Sequence, residues 1–225
     1  MYTSRIFRSA VQINQAMVRV YNHMLAAIVT SFVVSALIGY NHEAMSLLFG
    51  TPLKWVVMLA PIAAIFGVSA VLNSRPSKLT AVLVLHAFAA IMGLSLSTIF
   101  VAYTLGSITS AFLGAGILFG VMSFYGYFTR KSLDSMGQFM IVGLIAVIIA
   151  SVVNLWVSNS ILQMVISAIA VIVFAGLTAY DTQKIREEVS YETEHNVAEI
   201  RGAITLYLDF INMFINLLHL FGDRK

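Results

Sequence analysis

Two acidic residues lie where an apolar helix is expected: Asp181, in Ala179-Tyr180-Asp181-Thr182-Gln183-Lys184-Ile185, and Asp209, in Leu206-Tyr207-Leu208-Asp209-Phe210-Ile211-Asn212. An acid at the centre of a membrane helix costs at least about 2.5–3.5 kcal/mol and is a functional candidate by default. Asp209 does not stand alone. At about 100° per residue, Thr205, Asp209, Asn212, Asn216 and His219 fall within an arc of roughly 80°. The stripe rises about 21 Å at 1.5 Å per residue, and the opposite face carries Tyr207, Phe210, Phe214, Leu217, Leu218 and Phe221. A helix with one hydrogen-bonding face turns it toward other helices or a water-filled path. Carboxylate and amide oxygens suit hard cations such as Ca²⁺, and two close carboxylates in a low dielectric hold a proton between them more cheaply than two charges. Asp181 and Asp209 together therefore read as a pH-tuned gate on a cation path. They would bind Ca²⁺ only in transit, with Thr205, Asn212, Asn216 and His219 as pore-lining candidates and no resident cofactor. An H⁺-coupled transporter uses the same groups. The asparagines also fit a bland role, bonding one helix to another.

Paired intramembrane aspartates suggest proteolysis as a rival chemistry, with two carboxyls sharing a proton to activate water. Tyr180-Asp181 fits one half of that signature. The other half needs a glycine-rich approach to the second acid, and Leu206-Tyr207-Leu208 stands there instead. There is no Gly-x-Ser-x-Gly, and His42-Glu43 has no second histidine at zinc-protease spacing. With no cysteine in the chain, thiol catalysis and cysteine-ligated metals are excluded. The expectation is a protein without enzymatic turnover.

The elements that hold these residues follow from composition. Of 225 residues, 60% are hydrophobic and 10% charged, against about 25% charged in soluble domains, and the mean hydropathy is +0.90. This is an integral membrane protein, with a net charge of +3 too small and dispersed for nucleic acid. A crossing needs about 20 apolar residues. Charge-poor windows give one span near Val20–Tyr40, a second over Trp55–Ser74 kinked at Pro61, two in the 51 uncharged residues from Leu79 to Thr129, two in the 46 from Ser135 to Tyr180, and a last over Gly202–Gly222. Turns are expected at Tyr103–Ser107 and at Ser158-Asn159-Ser160. Seven spans in one domain, residues 1–225, result, with residues 1–19 before the first span and 182–201 as a loop before the last.

With the N-terminus in the cytoplasm, Arg5, Arg8, Arg19, Arg75, Lys78, Arg130, Lys131, Lys184, Arg186 and Arg201 lie inside, and Lys54, Arg224 and Lys225 outside. Ten against three fits the positive-inside rule, in which the five glutamates between Glu187 and Glu199 count little. No early segment ends in a small-residue cleavage site, so the first span is expected to be retained. Arg75, ending the second span, is the basic residue best placed to meet Asp181. Gly116-x-x-x-Gly120 offers a close helix contact. His23 and His86 read as packed or interfacial side chains.

At the aspartates the sequence also resembles a family. Leu206 through Leu218 is similar to the final-helix signature of the Bax-inhibitor-motif (TMBIM) proteins, in their bacterial branch. Tyr180-Asp181-Thr182-Gln183-Lys184-Ile185 is similar to the motif closing the sixth helix. Tyr125-Gly126-Tyr127-Phe128-Thr129-Arg130-Lys131 resembles the loop motif after the fourth, and Gly93-Leu94-Ser95-Leu96-Ser97 the pattern of the third. The resemblance implies an all-α fold of seven transmembrane helices, the last central and wrapped by the other six, in a bacterial inner membrane. It implies a pH-sensitive Ca²⁺ leak sensed at Asp181 and Asp209, with Arg75 as the latch of the closed form. It also leaves room for a non-conducting regulator in membrane protein quality control or stress survival, with a membrane protease as partner. In the family loop two basic residues are followed directly by Asp; here Ser132-Leu133 intervene before Asp134, and no role is carried over to it.

Overall fold

The computed structural model describes residues 9–74, 76–191 and 197–225. They form nine helices and no strand: α1 (Ala10–Gly39), α2 (His42–Phe49), α3 (Leu53–Asn73), α4 (Lys78–Leu96), α5 (Thr98–Ala102), α6 (Leu105–Phe128), α7 (Asp134–Val157), α8 (Ser160–Glu188) and α9 (Val197–Phe221). With α4 and α5 taken as one run, seven are long and apolar enough to cross a bilayer, as the charge-free windows predict. The fold is all-α, with side chains such as Phe66, Leu79, Ile117 and Phe139 standing about 70% exposed. An apolar surface of that extent calls for hydrocarbon around it.

The helices begin where the sequence supplies caps. Ser9 and Gln12 form a reciprocal capping box on α1, Asn41 caps α2 and Ser77 caps α4, each satisfying amide groups that a helix start leaves open. Between α7 and α8 the chain turns at Ser158, in the left-handed region at φ 52°. The Asn154 carboxamide accepts from the Asn159 N–H and donates to Gln163, so the expected turn is held from both sides.

Helix bounds differ from those read off charge. α1 starts ten residues before Val20, because the stretch containing Arg19 continues the helix from its Ser9 cap. Within the segment expected as a loop at 182–201, α8 continues to Glu188 and α9 starts at Val197. Helix α3 runs on through Pro61 as one helix. The short helix α2 has no counterpart in the charge pattern, being too brief to leave a hydropathy signal.

By packing, the chain divides into two compact units. One comprises residues 1–104, 188–207 and 224–225, the other residues 105–187 and 208–223. Helix α9 therefore supplies its first half to one unit and its second half to the other. It is also enclosed: half of its apolar window is buried, as in α8, against 6–28% in the other spans. Among the described residues only Phe221, at its end, joins the exposed large apolar side chains.

In the first unit α4 packs along both α1 and α3. The start of α9 is fixed there by an ion pair: Arg19 Nε and Nη2 donate to Glu199 Oε2 and Oε1 at 2.8 and 2.7 Å. The Glu199 side chain is 2% exposed and that of Arg19 39%. Farther along, the Tyr207 hydroxyl and Ser31 Oγ lie 2.6 Å apart, and Ser31 donates to the Ala89 carbonyl. Because Ser31 spends its proton on Ala89, Tyr207 is the donor of the pair. Gly93 permits this approach, since a Cβ on it would meet the Ser31 carbonyl at 2.6 Å. At the other end of these spans the Lys225 N–H donates to the Ala102 carbonyl. The last span thus meets the first at their starts and the third at their ends, as back-and-forth threading of these odd-numbered spans requires.

Removing one member of a buried pair strands the other as an uncompensated charge, at about 3–5 kcal/mol. Arg19→Met is expected to cost about 3 kcal/mol, the lower end, because Arg19 keeps contact with solvent. Arg19→Met/Glu199→Gln is expected to recover much of the loss. Thermal unfolding midpoints in one detergent check both, and a double variant no better than Arg19→Met removes the pair as the cause.

Candidate functional site: a buried aspartate pair

The site is built within the second unit. Asp209 sits on the second half of α9, buried at 4% exposure, and Asp181 sits half-buried near the end of α8. The two side chains are within hydrogen-bonding reach of each other. Two carboxyl groups can share such a bond only if one carries the proton, since ionised carboxylates accept and do not donate. The second oxygen of Asp209, Oδ2, is buried without a hydrogen-bond partner. The pair is unequal: one acid is sealed and the other reaches the site's edge.

Close helix packing positions Asp181. A Cβ on Gly126 of α6 would run into the backbone of Ala179, and one on Gly137 of α7 into the ring of Tyr180. The two residues before Asp181 therefore lie against bare backbone on two neighbouring helices. Ser123 and Thr182 hydroxyls meet at 3.0 Å on the other side of the acid. Beyond them the Gln183 carboxamide accepts from the Leu133 N–H at 2.9 Å and donates to the Lys131 carbonyl at 3.0 Å. Lys184 pairs with Asp134 at 2.8 Å, and Arg186 donates to the Tyr127 carbonyl at 2.9 Å. Thr182, Gln183, Lys184 and Arg186 thus each bind a different part of α6, α7 or the segment between them. Asp134, which the departing loop pattern left without a role, is the partner of Lys184. Their exposures of 52% and 35% make this a weak tie by itself.

The Asp209 segment of α9 is fixed by aromatic rings. Phe210 meets Phe112 and Phe119 edge-on, with centroids 5.2 and 6.0 Å apart, and Phe214 meets Phe112 at 6.1 Å. Helix α6 therefore supports both aspartates, by rings on one side and by Gly126 on the other.

The remaining stripe is less uniform than its sequence. Asn212 and Asn216, both half-buried, donate their amides to the carbonyls of Leu208 and Asn212, four residues back on their own helix. Among the described residues these amide donations stay within α9 and tie it to no other helix. Thr205 likewise donates to Arg201 O in the first unit, and His219 is exposed near the end of α9. Arg75 lies outside the described residues. The Gly116–Gly120 spacing does not pack helices here: a Cβ on either would meet nothing within 4 Å. Glycines that make contact, Gly126 and Gly137, carry no spacing signal of their own. Gly126 was visible only as part of the loop motif.

Comparison with known proteins agrees with this architecture. The family model described as "Inhibitor of apoptosis-promoting Bax1" matches residues 13–225, and the chain belongs to that Bax inhibitor family. It is 37% identical over 215 residues to the inner membrane protein YbhL of Escherichia coli K12, covering 93% of this chain and 92% of YbhL. It is also 38% identical over 214 residues to a protein of Rickettsia prowazekii, covering 93% and 89%. A membrane protein of Streptococcus pyogenes is 32% identical over 222 residues, covering 96% and 95%.

The glycine contacts separate supporting positions from idle ones. Gly126→Ala and Gly137→Ala are each expected to destabilise by about 1–3 kcal/mol through overpacking. Gly116→Ala and Gly120→Ala should be neutral or stabilising by up to about 1 kcal/mol, since alanine favours the helix. Equal unfolding midpoints across all four variants would show that the Ala179-Tyr180 contact does not hold the site.

Proposed function

We propose that the protein is a pH-sensitive cation leak, for Ca²⁺ foremost, in the inner membrane of a bacterium, with its N-terminus in the cytoplasm and no enzymatic turnover. The observation that carries this reading is Asp209: a buried acid with one oxygen beside Asp181 and the other unpartnered. A purely structural acid would be fully bonded, because a buried unpaired carboxyl oxygen costs free energy. A cation in transit would supply the missing partner. Among the described residues no cluster of three or more histidine, cysteine or acidic side chains could hold a metal. Two carboxyls and the amide oxygens of Asn212 and Asn216 offer at most about six oxygens, the lower end of a Ca²⁺ shell. That favours weak, passing contact.

The gating follows from charge. Arg75, at the end of the second span, latches the ionised form of Asp181 and so holds the path closed. Acid protonates the pair, removes the charge that Arg75 grips, and opens the path, so flux rises as pH falls. A non-conducting regulator is favoured by one observation, the family description as an inhibitor; a membrane protease would then be its partner.

Ca²⁺ flux into liposomes containing only this protein, recorded from mildly acidic to mildly basic pH, decides between the two. The leak predicts flux above empty vesicles that increases on acidification; none at any pH leaves the regulator. Asp181→Asn and Asp209→Asn should each flatten the pH dependence, and the double variant should add nothing further, because the acids act as one unit. Arg75→Gln should raise flux at mildly basic pH toward the acidic wild-type level. Additive single effects, or an unchanged Arg75→Gln profile, would break the pair or the latch respectively.

A further inference from the structure

Most basic side chains among the described residues have a partner. Glu199 engages Arg19, Asp134 and Glu187 engage Lys184, and the Phe100 carbonyl takes the Lys225 ammonium. Arg130 and Lys131, side by side after α6, are different. Both are exposed, and neither side chain has an ion pair or hydrogen bond among the described residues. Arg186 of α8 joins them. Its guanidinium donates to the Tyr127 carbonyl at 2.9 Å and lies over the Tyr127 ring at 4.9 Å, spending few of its N–H groups. The acids nearby do not answer these charges. Asp134 and Glu187 are taken by Lys184, and Glu188 lies about 200° around α8 from Arg186.

Just before these cations α6 turns rings to the outside. Phe124 and Phe128, four residues apart on one face, have centroids 4.5 Å apart and stand 66% and 62% exposed. On a span such exposure faces hydrocarbon, and aromatic rings near a span's end mark the boundary with the headgroups. The basic group therefore begins where the acyl region ends. Its segment is also braced, because Gln183 accepts from the Leu133 N–H and donates to the Lys131 carbonyl. The two cations thus lose little backbone freedom on binding. Open carbonyls at the end of α6 would repel an anion, and Arg186 covers one of them.

We propose that the end of α6 binds an acidic phospholipid, its phosphate held by Arg130, Lys131 and Arg186 and an acyl chain lying along Phe124 and Phe128. The adjoining cationic and apolar surfaces select the occupant. A free anion fills only the first, and an acidic peptide gains nothing from rings at hydrocarbon depth. The site lies within the second unit and stands independently of whether the protein conducts ions.

The full-length protein in a neutral detergent is titrated with phosphatidylglycerol or with phosphatidylcholine of the same acyl chains, and bound lipid is counted by native mass spectrometry. Phosphatidylglycerol should bind about tenfold more tightly, since each basic group near a bilayer surface favours acidic lipid severalfold. Arg130→Gln/Lys131→Gln removes two exposed charges without touching the core and should erase most of that preference. Lys54→Gln/Lys78→Gln removes the same charge outside the second unit and should keep it. Phe124→Ala/Phe128→Ala should weaken both lipids, and glycerol phosphate at the lipid's concentration should displace neither. Equal binding of the two lipids by the wild type overturns the proposal and needs no variant. A preference that survives Arg130→Gln/Lys131→Gln, or one lost equally in Lys54→Gln/Lys78→Gln, overturns it as well. So does unchanged lipid binding in Phe124→Ala/Phe128→Ala, or displacement by glycerol phosphate.

Discussion

The structure is arranged around a carboxyl group that cannot reach water. Asp209 is 4% exposed on a helix whose length and composition commit it to the bilayer, and one of its oxygens is left open. Transferring a charged group into an apolar medium without compensation is prohibitive, so a carboxyl held there needs a proton or a partner beside it. Asp181 is the side chain within hydrogen-bonding reach of it. Helix α8 must then stop rotating and sliding, because a carboxyl pair works only at hydrogen-bonding separation. The bare backbones of Gly126 and Gly137 against Ala179 and Tyr180 supply that rigidity through packing, which does not weaken in a low dielectric.

Polar ties in this protein are graded by where they sit. The Lys184–Asp134 pair is exposed and contributes little energy; the paired amide bonds of Gln183 fix geometry beside it. Arg19–Glu199 is different, because the acid is sealed and its loss of hydration must be offset by two short bonds from one guanidinium. It anchors the start of α9, while rings from α6 fix its second half. The helix that bears Asp209 is therefore held by charge at its beginning and by aromatic contact past the acid.

Legibility in the sequence followed the physical signal each feature leaves. Seven spans were readable because charge is excluded from hydrocarbon over windows of twenty residues or more. Both turns within the long apolar runs fell where Ser158 and Tyr103 interrupt them. Asp181 and Asp209 were readable for the same reason, as acids where none are affordable. Helix ends were not: α1 continues back through Arg19 and α8 onward through Lys184, because a helix does not stop at the bilayer boundary and hydropathy does. Glycine contacts were illegible too. The spaced pair Gly116 and Gly120 faces open space, while Gly126 and Gly137 touch backbone and ring, a distinction that depends on which face of the helix meets a neighbour.

Serine shows the same limit more sharply. Ser31 reads as an ordinary small residue in an apolar span, and its composition says no more. In the structure its hydroxyl donates to the Ala89 carbonyl and lies 2.6 Å from the Tyr207 hydroxyl, so one side chain ties α1 to both α4 and α9. Side chain to i−4 carbonyl bonds, such as that of Thr30 to Ala26, are routine in membrane helices and stay within one helix. A hydroxyl aimed at its neighbours fixes their approach instead, since no water stands by in a bilayer to satisfy it.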